Sequence, residues 1–150
     1  MSGRWWLVAG ALVAGTAVGC GALGAHWFEG YVQQLYSADS LRLRRLDNWN
    51  TAAQYQMYHG LALLAVGFAA ALRPSRLWNI AGALFVSGVL LFSGSLYAIA
   101  LSGVPILKDT PPWFLAIRAT PLGGICLMIG WALFLAAAWS SRARQDVSSD

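Results

Sequence analysis

WNTAAQYQMYHGLALL, residues Trp49 to Leu64, decides how the rest of the chain is read. It opens polar, with Asn50, Thr51, Gln54, Tyr55, Gln56 and Tyr58, and becomes an unbroken apolar run after His59. From Tyr58 to Leu72 there are 15 residues before Arg73 and Pro74 end the run. A helix that crosses a membrane needs about 20 residues at ~1.5 Å each. A spanning helix here therefore puts the turn bearing Gln54, Tyr55, Tyr58 and His59 at or just below the lipid headgroups. Polar side chains at that depth are costly unless they face protein, water or one another.

The totals support a membrane setting. Of 150 residues, 58% are hydrophobic and 11% charged, with a mean hydropathy of +0.56. Soluble domains carry about 25% charged residues. The length fits one compact bundle and no second domain. The net charge of +4 comes from arginines scattered over loops, where cations meet headgroups, and does not suggest nucleic acid. Cys20 and Cys126 both lie in apolar segments and read as buried free thiols acting as small hydrophobes.

Four spans follow, at about residues 5–27, 51–72, 77–101 and 120–139. Ala17-Val18-Gly19-Cys20 has the outline of a weak lipoprotein cleavage site. The apolar stretch around it is longer than a signal core, however, and the chain beyond is itself membranous, so the first span is read as retained. Ala11, Gly15 and Gly19 recur four apart, with Ala17, Gly21 and Ala25 beside them, and such spacing lets helix backbones approach in lipid. Gly15, Gly19, Gly21, Gly94, Gly123 and Gly124 are thus assigned to helix packing. Leu43, Leu46 and Trp49, with Arg42, Arg44 and Arg45 among them, suit a short amphipathic helix on the membrane surface. Arg73-Pro74-Ser75-Arg76 is a tight turn. Gly103 to Ala119 is a proline-bearing loop, Pro121 is acceptable in the first turn of the last span, and residues 140–150 form a polar tail expected to be disordered. Trp5, Trp6, Trp27, Trp49, Trp78, Trp113 and Trp139 fall near span ends or in loops, as interfacial rings do; Trp131 alone is mid-span. The expected fold is an all-α four-helix transmembrane bundle with a short amphipathic interfacial segment between spans one and two. The cations divide five against five, Arg4, Arg73, Arg76, Arg142 and Arg144 on the side of the termini and Arg42, Arg44, Arg45, Lys108 and Arg118 on the other. The first set lies within a few residues of a span, whereas Arg42 to Arg45 sit mid-loop, and this placement favours both termini in the cytoplasm.

In this topology the polar residues of all four spans gather at the face opposite the termini. His26 ends span one; Gln54, Tyr55 and His59 begin span two; Ser93, Ser95 and Tyr97 end span three; Arg118 and Thr120 begin span four. His26, Gln54, Tyr55, His59, Ser93, Ser95, Tyr97 and Thr120 are the candidate polar pocket, with the two imidazoles as neighbours. Ala52, Tyr55, Gln56, His59 and Leu63 share a helix face by the three-and-four rule. The favoured role is hydrogen bonding between helices that fixes their register. An alternative is a pocket for a small molecule, a lipid headgroup or a proton, using histidines that titrate near neutrality. A haem or metal on His26, His59 and Glu29 lacks a third strong ligand, so no metal and no cofactor is assigned. No Ser/His/Asp order, Gly-rich phosphate loop, paired intramembrane carboxylates or CxxC is present, which points away from an enzyme.

Gly21-Ala22-Leu23-Gly24-Ala25-His26, then Trp49 to Leu63, then Phe92-Ser93-Gly94-Ser95-Leu96-Tyr97, then Thr120-Pro121-Leu122-Gly123-Gly124 with Gly130-Trp131 form an ordered set. Together they resemble the small four-helix membrane proteins called domain of unknown function 423, related to the transmembrane protein 256 family. The resemblance covers about residues 7 to 137. It implies a multi-pass plasma-membrane protein, in bacteria of the inner membrane, and brings no activity with it. The chain departs from the family pattern in the Val104–Ala119 loop, with its Pro-Pro-Trp, and in an enlarged linker between Trp27 and Ser40. Expected partners are the lipid bilayer and either a second copy or another membrane protein.

Overall fold

The computed structural model describes residues 3–35, 37–101 and 118–146. Helix α1 spans Gly3–Leu23 and runs through a wider π-helical turn, Gly24–Phe28, into α2, Glu29–Leu35. After a break at Ser37 and Ala38, α3 runs unbroken from Asp39 to Leu72, α4 from Arg76 to Leu101 and α5 from Thr120 to Asp146. There is no strand among the described residues. Four helical stretches are long and apolar enough to cross a membrane: Gly3–Leu35, Asp39–Leu72, Arg76–Leu101 and Thr120–Ser140. The expected all-α four-span architecture is present.

Three details differ from the expectation. The arginine-bearing segment is not a separate surface helix: Asp39 to Asn50 forms the first turns of the same 34-residue α3. Ala38 supplies no side-chain cap, but Asp39 stands in the first turn and pairs with Arg42, which suits the positive end of the helix dipole. Second, α5 continues to Asp146, past the expected end at residue 139. Third, His26 does not end a helix, because the chain stays helical to Leu35. Apart from Arg118 and Ala119, the proline-bearing loop lies outside the described residues.

At roughly 1.5 Å per residue α3 is about 50 Å long, and α1 with α2 is similar, against a hydrocarbon core of about 30 Å. Gly3 sits against Gly67 and Ala71, so α1 starts level with the end of α3. Both extra lengths therefore project on the side away from the N-terminus. The turn back to α4 is set by Pro74 and by Ser75, whose Oγ accepts the Leu77 amide proton at 3.1 Å as a helix N-cap.

The bundle is two helical pairs joined through their inner members. α1 packs along α3, α5 packs along α4, and α3 packs on α4. The inner pair is the more enclosed, with 39% of the apolar window of each helix buried against 17% for α1 and 22% for α5. Within each pair, small residues recur every seven positions. On α1 these are Gly3, Gly10 and Ala17, and Gly24 in the next turn; on α3, Gly60 and Gly67; on α4, Gly88 and Ser95; on α5, Gly123, Gly130 and Ala137. All are buried. A Cβ on Gly60 would stand 2.7 Å from the Ala14 nitrogen, and one on Gly67 2.7 Å from the Leu7 nitrogen, so nothing larger fits. Seven-residue spacing keeps one seam turned toward its partner along the whole helix. By contrast, a Cβ on Gly15, Gly19, Gly21 or Gly94 would meet nothing within 4 Å. Of the expected packing glycines, only Gly123 and Gly124 touch a neighbouring helix, at Phe92.

Aromatic residues close the seams. Trp6 lies over Gly82 and donates to Asn79 Oδ1 at 2.9 Å, tying α1 to α4. The core runs through Trp6, Leu63, Val66, Trp78, Phe85 and Leu127. A second, smaller cluster at the far end joins Phe28, Val32, Trp49 and Ala100.

Candidate functional site

Gln56 is the centre of the buried polar groups. Its helix face turns it toward both α1 and α4. Its amide nitrogen donates to the Val13 carbonyl at 3.1 Å and to Thr16 Oγ1 at 2.8 Å, and its oxygen accepts from the Tyr97 hydroxyl at 3.0 Å. Both donor hydrogens are thereby used, and three helices meet at one side chain. Thr16 can take part because its own proton turns back to the Leu12 carbonyl at 2.7 Å, leaving oxygen lone pairs for Gln56.

One turn along α3, buried His59 ties α3 to α5. Its Nδ1 lies 2.7 Å from the Tyr55 carbonyl, and the Trp131 indole N–H donates to Nε2 at 3.2 Å. A carbonyl only accepts and an indole only donates, so the ring is neutral with its proton on Nδ1. Phe85 and Trp131 pack around it, with ring centroids at 5.6 and 6.2 Å. Between α4 and α5, Ser95 Oγ bonds Thr120 Oγ1 at 2.7 Å. Ser93 Oγ is buried with no hydrogen-bond partner among the described residues.

Not all of the expected pocket converges. Gln54 and His26 are exposed, and Tyr55 is 39% exposed on the outer side of the same turn. The imidazoles are not neighbours. Gly24, two residues before His26, meets Trp49, whose indole also donates to the Cys20 carbonyl at 2.8 Å. Trp49 precedes His59 by ten residues, or about 15 Å along α3. The correction follows from α1 and α3 running antiparallel, which carries His26 away from His59 as the chain leaves the membrane. With Leu72 at the near lipid edge, His59 is about 20 Å deep in a core of about 30 Å, well inside rather than at the headgroups. Its ring tolerates that depth because both nitrogens are paired. Among the described residues no group of three or more His, Cys, Asp or Glu converges as a metal site, and Glu29 is exposed on α2.

Beside this cluster a groove of 580 Å³ opens between α3 and α5. Tyr55, Tyr58 and His59 form one wall, Pro121, Met128 and Trp131 the other, and Gly124 and Phe92 lie along it. At the far end, Arg45 reaches across to donate to the Ile99 and Ala100 carbonyls, capping the C-terminus of α4.

The family described as protein of unknown function (DUF423) matches residues 20–124. The chain belongs to that family. Among its relatives is a UPF0382 membrane protein of Staphylococcus aureus (strain bovine RF122 / ET3-1), 37% identical over 134 residues, covering 89% of this chain and 94% of the relative. A UPF0382 membrane protein of Staphylococcus epidermidis (strain RP62A) is 39% identical over 132 residues, covering 88% and 93%. UPF0382 membrane protein YwdK of Bacillus subtilis (strain 168) is 37% identical over 135 residues, covering 89% and 94%. No solved structure matches the chain. This DUF423 protein is therefore a multi-pass membrane protein of a family without an established activity.

The three-and-four pattern puts Gln56 on the inward face without singling it out from Tyr55 and His59, and the bonding partners Thr16, Arg45 and Trp131 stand outside the expected pocket. Trp131 carried a signal, since it was the lone tryptophan far from a span end and so needed a buried acceptor for its N–H. Thr16 carried none, being one small residue in an apolar run.

Proposed function

We propose that this DUF423 protein is a non-catalytic structural or accessory protein of the plasma membrane, acting through assembly with a second copy or another membrane protein. The observation that supports this is the engagement of Gln56: its groups are taken by Val13, Thr16 and Tyr97 inside the molecule, so the polar side chain where three helices meet holds those helices rather than a substrate. His59 supports the same reading, with both nitrogens occupied. No cofactor is needed for such a role. Four spans put both termini on one side, and the arginines beside the spans there favour the cytoplasm.

The test is native mass spectrometry of gently extracted protein beside thermal unfolding of Gln56→Leu and His59→Phe. The expected outcome is that both variants unfold at lower temperature and that the wild type carries no metal, haem or small polar molecule at unit stoichiometry. A Soret band, a stoichiometric metal, or a polar ligand lost in His59→Phe would sink the proposal. Reporter fusions at residue 150 that are active only on the outside would overturn the orientation.

A further inference from the structure

The groove between α3 and α5 lies within the membrane-spanning part of the molecule, where the surrounding solvent is lipid. From Pro121 to Trp131 it follows α5 for ten residues, about 15 Å at the helical rise, which is half of a hydrocarbon core of about 30 Å. It begins at the membrane face opposite the termini and ends near the bilayer centre. Its length is thus that of one leaflet.

Its ends differ in chemistry. At the inner end stands Trp131, whose ring is held by the bond from its N–H to His59, so that end is fixed and apolar. Along the groove Gly124 offers no side chain: a Cβ there would first meet the Phe92 ring, at 3.8 Å, and anything longer would project into the space. At the outer end, exposed Arg118 precedes Pro121 by three residues in the helical turn that leads into α5, and so stands about one turn further out than the groove's mouth. A guanidinium has five N–H donors in a fork that matches a phosphate, and can serve more than one acceptor at once.

From this match of length, apolar lining and a cation at the headgroup end, we infer that the groove holds one acyl chain of a phospholipid from the leaflet opposite the termini, with the lipid phosphate at Arg118. A groove of 580 Å³ falls within the range of about 300–1,000 Å³ of ligand sites. The site does not depend on the register-holding role of Gln56, and either reading can fail alone.

Full-length protein, purified in detergent and titrated with long-chain phosphatidylglycerol, tests this by native mass spectrometry. One lipid per chain is retained by the wild type and by Gly15→Leu, which adds the same bulk on the far side of α1. Gly124→Leu fills the groove and abolishes retention. Arg118→Gln weakens it by about tenfold, as expected for loss of a charge-assisted hydrogen bond. If Gly124→Leu fails to fold, Met128→Trp, one turn further along the same wall, fills the groove and takes its place. Equal retention by the wild type and the filled variant overturns the inference. So does equal retention of a short-chain phosphatidylglycerol, because the headgroup alone would then account for binding.

Discussion

The α1–α3 pair and the α4–α5 pair are built on the same seam of small residues, yet they differ in what fixes their register. A seam that repeats every seven residues can slip by one repeat, about 10 Å, and still set a small residue against the partner helix at each step of the repeat. Close packing sets how near the helices come, but it leaves the sliding position weakly specified. In α1–α3 the choice is made deep in the bundle, by Gln56 bonded to Val13 and Thr16. In α4–α5 it is made at the edge, by Ser95 with Thr120. The first pair is also longer and carries a second lock at Trp49 and Cys20. The lesson is a division of labour: glycines and alanines set distance, and a few hydrogen bonds set alignment.

The largest expected effect comes from breaking a seam. Gly60→Leu drives a side chain into the α1 backbone, and Gly123→Leu does the same against Phe92. Each should cost about 3 kcal/mol or more by overpacking, seen as loss of the monodisperse folded species in size-exclusion chromatography. A normal elution and melting curve for Gly60→Leu would contradict the seam. Next comes Gln56→Leu, which keeps the volume and removes three hydrogen bonds. At roughly 0.6 kcal/mol each in a membrane bundle, it should lower stability by about 2 kcal/mol in a thermal scan. Because register is at stake, an engineered disulfide series across α1 and α3 should also lose its single preferred pairing. A unique pairing retained in Gln56→Leu would show that the seam alone specifies alignment. His59→Phe is smaller still, about 1 kcal/mol, since the ring volume stays and only the links to Tyr55 and Trp131 go. A blue or red shift in Trp131 emission, measured against Trp131→Phe, should accompany it. At the bottom, His26→Ala and Gly15→Leu should both stay within about 0.5 kcal/mol of the wild type, because neither side chain position is enclosed. A melting point several degrees lower for either would mean that an outer surface is covered in solution.

The helices themselves were legible in the sequence, since long uncharged runs bounded by Arg4, by Arg73-Pro74 and by Pro121 leave few other readings. The site was only half legible. On an all-apolar helix the difference between facing a partner and facing lipid leaves almost no mark, because both surroundings are apolar. That is why the spacing of Gly15 and Gly19 by four points to packing, although the enclosed glycines of α1 are Gly3 and Gly10, spaced by seven. The same blindness favoured Tyr55 over Gln56, one position apart on α3. His26 was misplaced for a different reason. Nothing in GAHWFEGYV announces that the chain widens into a π-helical turn and stays helical, so the sequence suggests a span that ends several residues before the helix does.

The break at Ser37 and Ala38 makes this molecule divisible. It interrupts an otherwise continuous helical hairpin at an exposed point, and each side of it holds whole spans. Segments that insert independently can find each other afterwards within the bilayer. Residues 1–37 and 38–150 produced as separate polypeptides should reassemble, because the glycine seam and Gln56 join the two pieces without the covalent link.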